Sequence, residues 1–297
     1  MNRSSVVTRA AAALLVTTTM SARLPTARTP PIAMAQADGA APGRILKYRH
    51  HLPAVFHAPA SPPAAPTSPP APTGCPLLPT PSFASLPLSG PPLHALGDAH
   101  PDLDLAMRGW VQVVPESVVG GAGLVDYAGA TDGKAPQLSG LAPAQFAPAR
   151  LTFSGLYRVH DWDWTTNRRG GPLTVWPVSL VAVTVPAGQA LHVPDSGYEI
   201  GQGFEVLVIH AADGRVTLSY TRSDNVARGY VLHVTGVCVE PRLLALYGHL
   251  NAAGRARLPA LRAGDAFGTA ADAVRVAIRD TGTFMDPRSR KDWWRGH

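Results

Sequence analysis

The sequence predicts a mainly β protein: β-sandwich or barrel units with one or two short helices, following a disordered proline-rich N-terminal region. Three observations carry this. The chain holds 30 prolines in 297 residues, and they dominate between Pro30 and Pro81. From about Pro91 the texture changes to short runs of β-branched and aromatic residues, broken by glycine, aspartate and proline turns. A single segment, "PRLLALYGHLNAAG", has helical periodicity.

The N-terminus, "MNRSSVVTRAAAALLVTTTM", places Arg3 and Arg9 before a short apolar run from Ala10 to Val16. That is the layout of a secretory signal, and small residues at Ala33-Met34-Ala35 suit cleavage, so residues 1–37 are expected to be a signal peptide. The run is too short and too threonine-rich to span a bilayer, and no later segment approaches membrane length. Residues 38–90 are expected to form a disordered linker. Within it "APASPPAAPTSPPAPTG" cannot build a core, because proline lacks the backbone donor and favours extended geometry. The chain's two cysteines, Cys75 and Cys238, form a candidate disulfide in an oxidising compartment.

Two units are expected to follow, a β-rich region over 91–187 and a second over 188–297; one continuous domain is the alternative to a border at "VPAGQA". Strands are expected near 109–114, 151–160, 174–185, 190–193, 204–210, 215–221, 229–239, 273–279 and 283–285. Asp213-Gly214 reads as a hairpin turn. Pro241 suits a first helical position, Leu243, Leu244, Tyr247 and Leu250 share one face, and Gly254 suits the stop.

The net charge of +6 does not indicate a nucleic-acid partner. Of 26 basic and 20 acidic residues, seven basic ones (Arg3, Arg9, Arg23, Arg28, Arg44, Lys47, Arg49) and one acid (Asp38) lie before Cys75, leaving 19 of each in the rest. A formally neutral folded part lacks the basic face that phosphate binding needs. No G-x-S-x-G, P-loop or dinucleotide fingerprint is present.

In the second unit an ordered series of short motifs stands out. Pro194-Asp195-Ser196-Gly197 makes a turn; Val208, Ile209 and His210 lead through Gly214 to a strand ending in Tyr220; Gly264-Asp265-Ala266-Phe267-Gly268 makes another turn. "DAVRVAIRDTGTFMDP" then supplies a strand, a tight turn and a closing Asp-Pro. This series, over roughly a third of the chain, resembles the M23 (lysostaphin-like) metallopeptidase domain with its duplicated hybrid motif. The resemblance implies a β-sandwich-like barrel and, in active members, a zinc held by an H-x-x-x-D pair and the second histidine of an H-x-H strand. Aligned on Ile278-Arg279, the H-x-H places fall on Ala273 and Arg275. Alanine has no donor atom and a guanidinium is a permanent cation, so the resemblance implies a degenerate site without zinc. The alternative is zinc held by ligands outside that alignment: His100 and Asp104 in "HPDLD", His210, or His249 in "YGHLN".

A second constellation is "YRVHDWDWTTNRRGG". Strand alternation puts His160, Trp162 and Trp164 on one face and Asp161 and Asp163 on the other. Paired tryptophans stack on sugar rings and carboxylates accept hydroxyl hydrogen bonds, so Asp161, Trp162, Asp163 and Trp164 are candidate ligand-binding residues; the competing role for the tryptophans is core filling. Asp161 and Asp163 also form a candidate acid/base pair.

The sequence therefore points to a secreted or cell-surface protein, non-catalytic, acting at the cell envelope as a binding or scaffolding module without a cofactor. A cell-wall glycan or another envelope protein is the expected partner. An active zinc peptidase on peptidoglycan and a secreted β protein binding glycans through Trp162 and Trp164 are the alternatives.

Overall fold

Antiparallel pairing runs through the sheet, between strands that are mostly far apart in the sequence. The structure, a computed structural model, describes residues 74–79, 82–94, 97, 100–146 and 151–297. The expected signal peptide and most of the expected linker lie outside them. The described residues fall in one unit, Ala64–His297. Its strands are β1 (Ala84–Pro87), β2 (Trp110–Val113), β3 (Gly155–Asp163), β4 (Arg168–Pro172), β5 (Leu180–Val183), β6 (Ala190–His192), β7 (Val206–Ala212), β8 (Gly214–Ser219), β9 (Tyr230–Val239), β10 (Arg257–Leu261), β11 (Ala266–Asp280) and β12 (Thr283–Phe284). Its helices are α1 (Leu105–Arg108), α2 (Pro143–Phe146), α3 (Pro241–Ala252) and α4 (Arg290–Trp293). The protein is mainly β, as its sequence predicts.

All twelve strands belong to one sheet, in the order β1-β10-β7-β8-β9-β11-β5-β3-β2, with β12 and β6 on β11 and β4 on β3. Strands from both sides of the expected border at 187/188 are bonded together, since β5 pairs with β11 through Val183↔Val274 and Val181↔Val276. The expected linker ends earlier than residue 90: Ala84–Pro87 is a strand that pairs with β10. Cys75 and Cys238 are joined by a disulfide, with Cα atoms 5.4 Å apart, which ties the chain just before β1 to β9.

β11 is the spine. It pairs with β9 at both its ends, with a register shift between Ala270 and Arg275. Opposite that bulge lies Gly236 at φ +76°, where a Cβ would collide with the Ala273 carbonyl oxygen, so glycine is required for the strands to approach. Beyond the bulge β11 alternates. Val274, Val276 and Ile278 are buried in the main core, which gathers most of the apolar side chains of the sheet. Ala277 faces the opposite side, with Leu105, Val159, Leu180 and Phe284 in a second, smaller core. By the same alternation Arg275 and Arg279 belong to that second side.

Buried polar contacts fasten the last part of the chain. Glu240 caps α3, its Oε2 accepting from the amides of Arg242 (2.7 Å) and Leu243 (3.0 Å). Arg255 and Asp224 pair at 2.6 Å with both side chains fully buried. Trp293 and Trp294 are buried and donate to the carbonyls of Asp286 (2.9 Å) and Pro287 (2.7 Å), so the C-terminal "KDWW" docks on the domain. Among the described residues no helix is long and apolar enough to cross a membrane.

Candidate functional site

On the second side of the sheet, residues 100–108 run across β3 and β11. Asp104 caps the single turn of α1, its Oδ1 accepting from Ala106 N at 2.9 Å. The turn delivers Arg108 inward, where Nε donates to Pro101 O (3.0 Å) and Nη2 to Asp102 Oδ1 (2.7 Å). Arg279 comes from the end of β11 and donates to the same Asp102 oxygen from Nη1 at 2.8 Å. Its Nε and Nη2 donate to the carbonyl of Gly282, 2.8 and 2.6 Å away, in the turn to β12. That turn reverses tightly through Thr281 at φ +45° and Gly282 at φ +88°.

Asp102, Arg108 and Arg279 form the floor of a cleft of about 300 Å³. Asp161 and Trp164 of the β3–β4 hairpin, Val175 and Trp176 of the segment before β5, and Thr283 and Phe284 of β12 also line it. Burial pushes the Asp102 carboxyl up, but Arg279 and then Arg108 outweigh it and hold it below its ordinary value. It therefore stays an anion between two cations. Burial lowers Arg279, and Asp102 opposes that. Both guanidinium groups also face the Phe284 ring, Arg279 at 4.5 Å and Arg108 at 5.8 Å from its centroid. The floor is thus rigid and charged, while the rim is aromatic.

The four candidate residues of the hairpin part company. A register shift between His160 and Trp162 breaks the simple alternation, and β3 ends at Asp163. Trp162 is buried, at 9% exposure, and its Nε1 donates to Asn167 Oδ1 at 3.3 Å. Trp164, in the turn, is 56% exposed and lines the cleft. Asp161 lines the cleft too, 3.6 Å from Arg108 Nη1. Asp163 is spent on the turn, accepting from Thr165 N (2.9 Å) and from Thr166 Oγ1 (2.7 Å), and is not among the cleft-lining residues. The Asp161/Asp163 acid/base pair and the shared Trp162/Trp164 face are therefore not what the structure places at the cleft. Both readings assumed a regular strand, and the bulge with its four-residue turn removes that regularity.

The residues considered as metal ligands do not come together as one set. Asp104 lies 3.9 Å from His210 Nε2 and is held by Arg215, whose Nε is 2.9 Å away. His100 lies instead between His94, its ring centre 3.9 Å away, and Trp164, 5.3 Å away, with the rings tilted. His249 is exposed on α3. Among the described residues no group of three or more histidine, cysteine, aspartate or glutamate side chains is placed to hold a metal ion. Arg275, at the place of the second H-x-H histidine, has its guanidinium 5.8 Å from both the Trp110 and Tyr157 rings and is clasped between them.

Sequence reasoning missed Asp102, Arg108, Trp176 and Arg279. The expected strand over 174–185 begins only at Leu180, and the irregular stretch before it frees Trp176 for the cleft. Tyr127 holds that indole edge-on at 5.0 Å and is itself bonded to Asp286 Oδ2 at 2.8 Å. No known protein family, curated protein or solved structure matches this chain.

Proposed function

We propose that this is an exported, non-catalytic binding protein of the cell envelope, on an M23-like scaffold, and that the cleft takes a saccharide of the cell wall. The observation that carries this reading is the pairing of an exposed indole, Trp164, with Trp176 around a fixed polar floor. Aromatic rings offer flat apolar faces to the C–H faces of a sugar, while Asp161 and the two guanidinium groups offer acceptors and donors to its hydroxyls. A cleft with few, preorganised polar groups and apolar walls suits orientation and specificity without requiring a reactive group. The signal-like N-terminus supports export, and the motif order from Pro194 to Pro287 supports the M23-like scaffold.

The test is titration of the full chain with soluble β-linked amino-sugar oligomers, following tryptophan fluorescence, beside Trp164→Ala. Saturable quenching that Trp164→Ala abolishes is expected. Binding that the substitution leaves intact would move the site elsewhere. The zinc-peptidase alternative, built on His100, Asp104, His210 or His249, requires about one zinc per chain and cleavage of cross-bridges that a chelator stops, and elemental analysis with a cell-wall turbidity assay tests it.

A further inference from the structure

On the other side of the β11–β12 turn lies a second cleft, of about 310 Å³, that the saccharide reading does not use. Its walls include Tyr198, Tyr220 and Tyr230, and its polar lining includes Asp132 and Asp280. We propose that this cleft binds an organic ammonium group, a quaternary or primary alkylammonium head seated between tyrosine faces and two carboxylates.

Three features support it. The tyrosines are held in place: the hydroxyls of Tyr198 and Tyr230 donate to the same Asp132 oxygen, at 2.7 and 3.0 Å, and Tyr220 donates to Pro194 O at 2.9 Å. Their rings are therefore fixed walls rather than mobile side chains. The cleft is also acidic. Burial raises the Asp280 carboxyl; a hydrogen bond from Thr281 opposes this, and the negative charges of Asp132 and Asp292 add to the rise. A bound cation relieves that repulsion. Finally, a tyrosine face here already carries an ammonium, since Lys134 Nζ lies 5.5 Å from the centre of the Tyr198 ring. Rings with their negative faces toward a cavity, together with carboxylates, attract ammonium over neutral groups of equal size, and desolvation strengthens the attraction. The inference is independent of the saccharide reading, because the two clefts use opposite sides of the turn. Asp280 and Thr281 face this one, and Gly282 and Thr283 face the other.

The experiment titrates the ¹⁵N-labelled full chain with choline, with Nα-acetyl-lysine methylamide, and with 3,3-dimethylbutan-1-ol, the neutral isostere of choline. The amides of Gly229 and Thr281, two residues that line the cleft, report binding; the Thr281 amide donates to the Gly229 carbonyl at 3.0 Å. Saturable shifts with one or both ammonium compounds and none with the alcohol are expected. The stronger of the two identifies a quaternary head group or a lysine side chain as the source. Tyr198→Ala and Asp280→Asn should each weaken binding about fivefold or more, with amide dispersion confirming that both variants fold, and Trp164→Ala should leave it unchanged. The proposal is overturned if neither ammonium compound shifts these amides at tens of millimolar, if the alcohol shifts them equally, or if folded Asp280→Asn binds as well as the parent.

Discussion

Asp102 and Arg279, separated by 177 positions, meet at 2.8 Å and fasten residues 100–108 to the end of β11. The same carboxylate oxygen accepts from Arg108 at 2.7 Å, so one anion serves two cations whose side chains are 5% and 7% exposed. Removing it leaves two buried charges facing one another. Asp102→Ala is expected to lower unfolding free energy by about 3–5 kcal/mol, as when one partner of a buried pair is deleted. Chemical denaturation measures this. Arg279→Met in the same background should recover part of the loss, and a further loss would show that the triad is not coupled as described.

The two tryptophans of the β3–β4 hairpin should separate function from stability. Trp162 is buried against the sheet and Trp164 stands in solvent at the cleft. Trp162→Ala should cost about 3–5 kcal/mol, as large aromatic truncations in cores do. Trp164→Ala should stay within about 0.5 kcal/mol of the parent, as surface substitutions do, while losing saccharide binding. Thermal melts and the fluorescence titration, run on both variants, check the pair of outcomes together.

Much of the fold is written locally, and most of the cleft is not. The β7–β8 hairpin at Asp213-Gly214 and the helix from Pro241 follow from turn chemistry and periodicity, and both form. β1 and β10 escape such reading because each contains a proline. Pro259 is tolerated because β10 meets β7 only at Ala260 and Leu261, so no ladder bond is asked of the proline on that side. β4, "RRGGP", is concealed by its glycines. The cleft depends on contacts that no local pattern encodes. Arg279 looks like one more strand residue, and Asp102 sits inside "HPDLD", where the spacing of His100 and Asp104 draws attention instead. What the local pattern does disclose is Trp164 and Asp161; their partners appear only once β5 brings β3 and β11 together.

Stability should fall on mild acidification, and His233 is one reason. It is buried in the cross-strand row His210, Thr217, His233, Ala277, and its Nδ1 lies 3.0 Å from Thr217 Oγ1. Burial, and then the charge of Arg279, hold its pKa well below the usual histidine value. The folded state therefore keeps the ring neutral while the unfolded chain protonates near its ordinary value of about 6.5. Below that pH the unfolded state binds more protons, so stability is full above it and is lost as pH falls from there toward the folded value. His94 and His100, lowered chiefly by burial, act in the same direction. Denaturation midpoints should be lower at pH 5 than at pH 7.5. His233→Asn, though less stable overall, should show a shallower dependence over that interval, and an unchanged slope would exclude the ring as a contributor.

The disulfide offers the last test, because it joins parts of the chain that the sheet also joins. Cys75 precedes β1, and Cys238 lies in β9, where it is paired with Thr269 of β11. β1 itself reaches the sheet only through β10, as an edge strand, and it carries Pro87. The cross-link spans 163 positions, so the entropy it removes from the unfolded chain is near the upper end of what disulfides contribute, about 2–5 kcal/mol. Locally it confines the start of a short edge strand that has one neighbour to hold it. Cys75→Ser with Cys238→Ser should therefore destabilise the whole domain by about that amount and expose β1 selectively. Native-state hydrogen exchange separates the two effects. The amide of Leu86 should lose protection by more than the global change, whereas those of β9 and β11 should follow it. Equal loss everywhere would mean that β10 alone suffices to hold β1, and that the cross-link acts on the unfolded chain only.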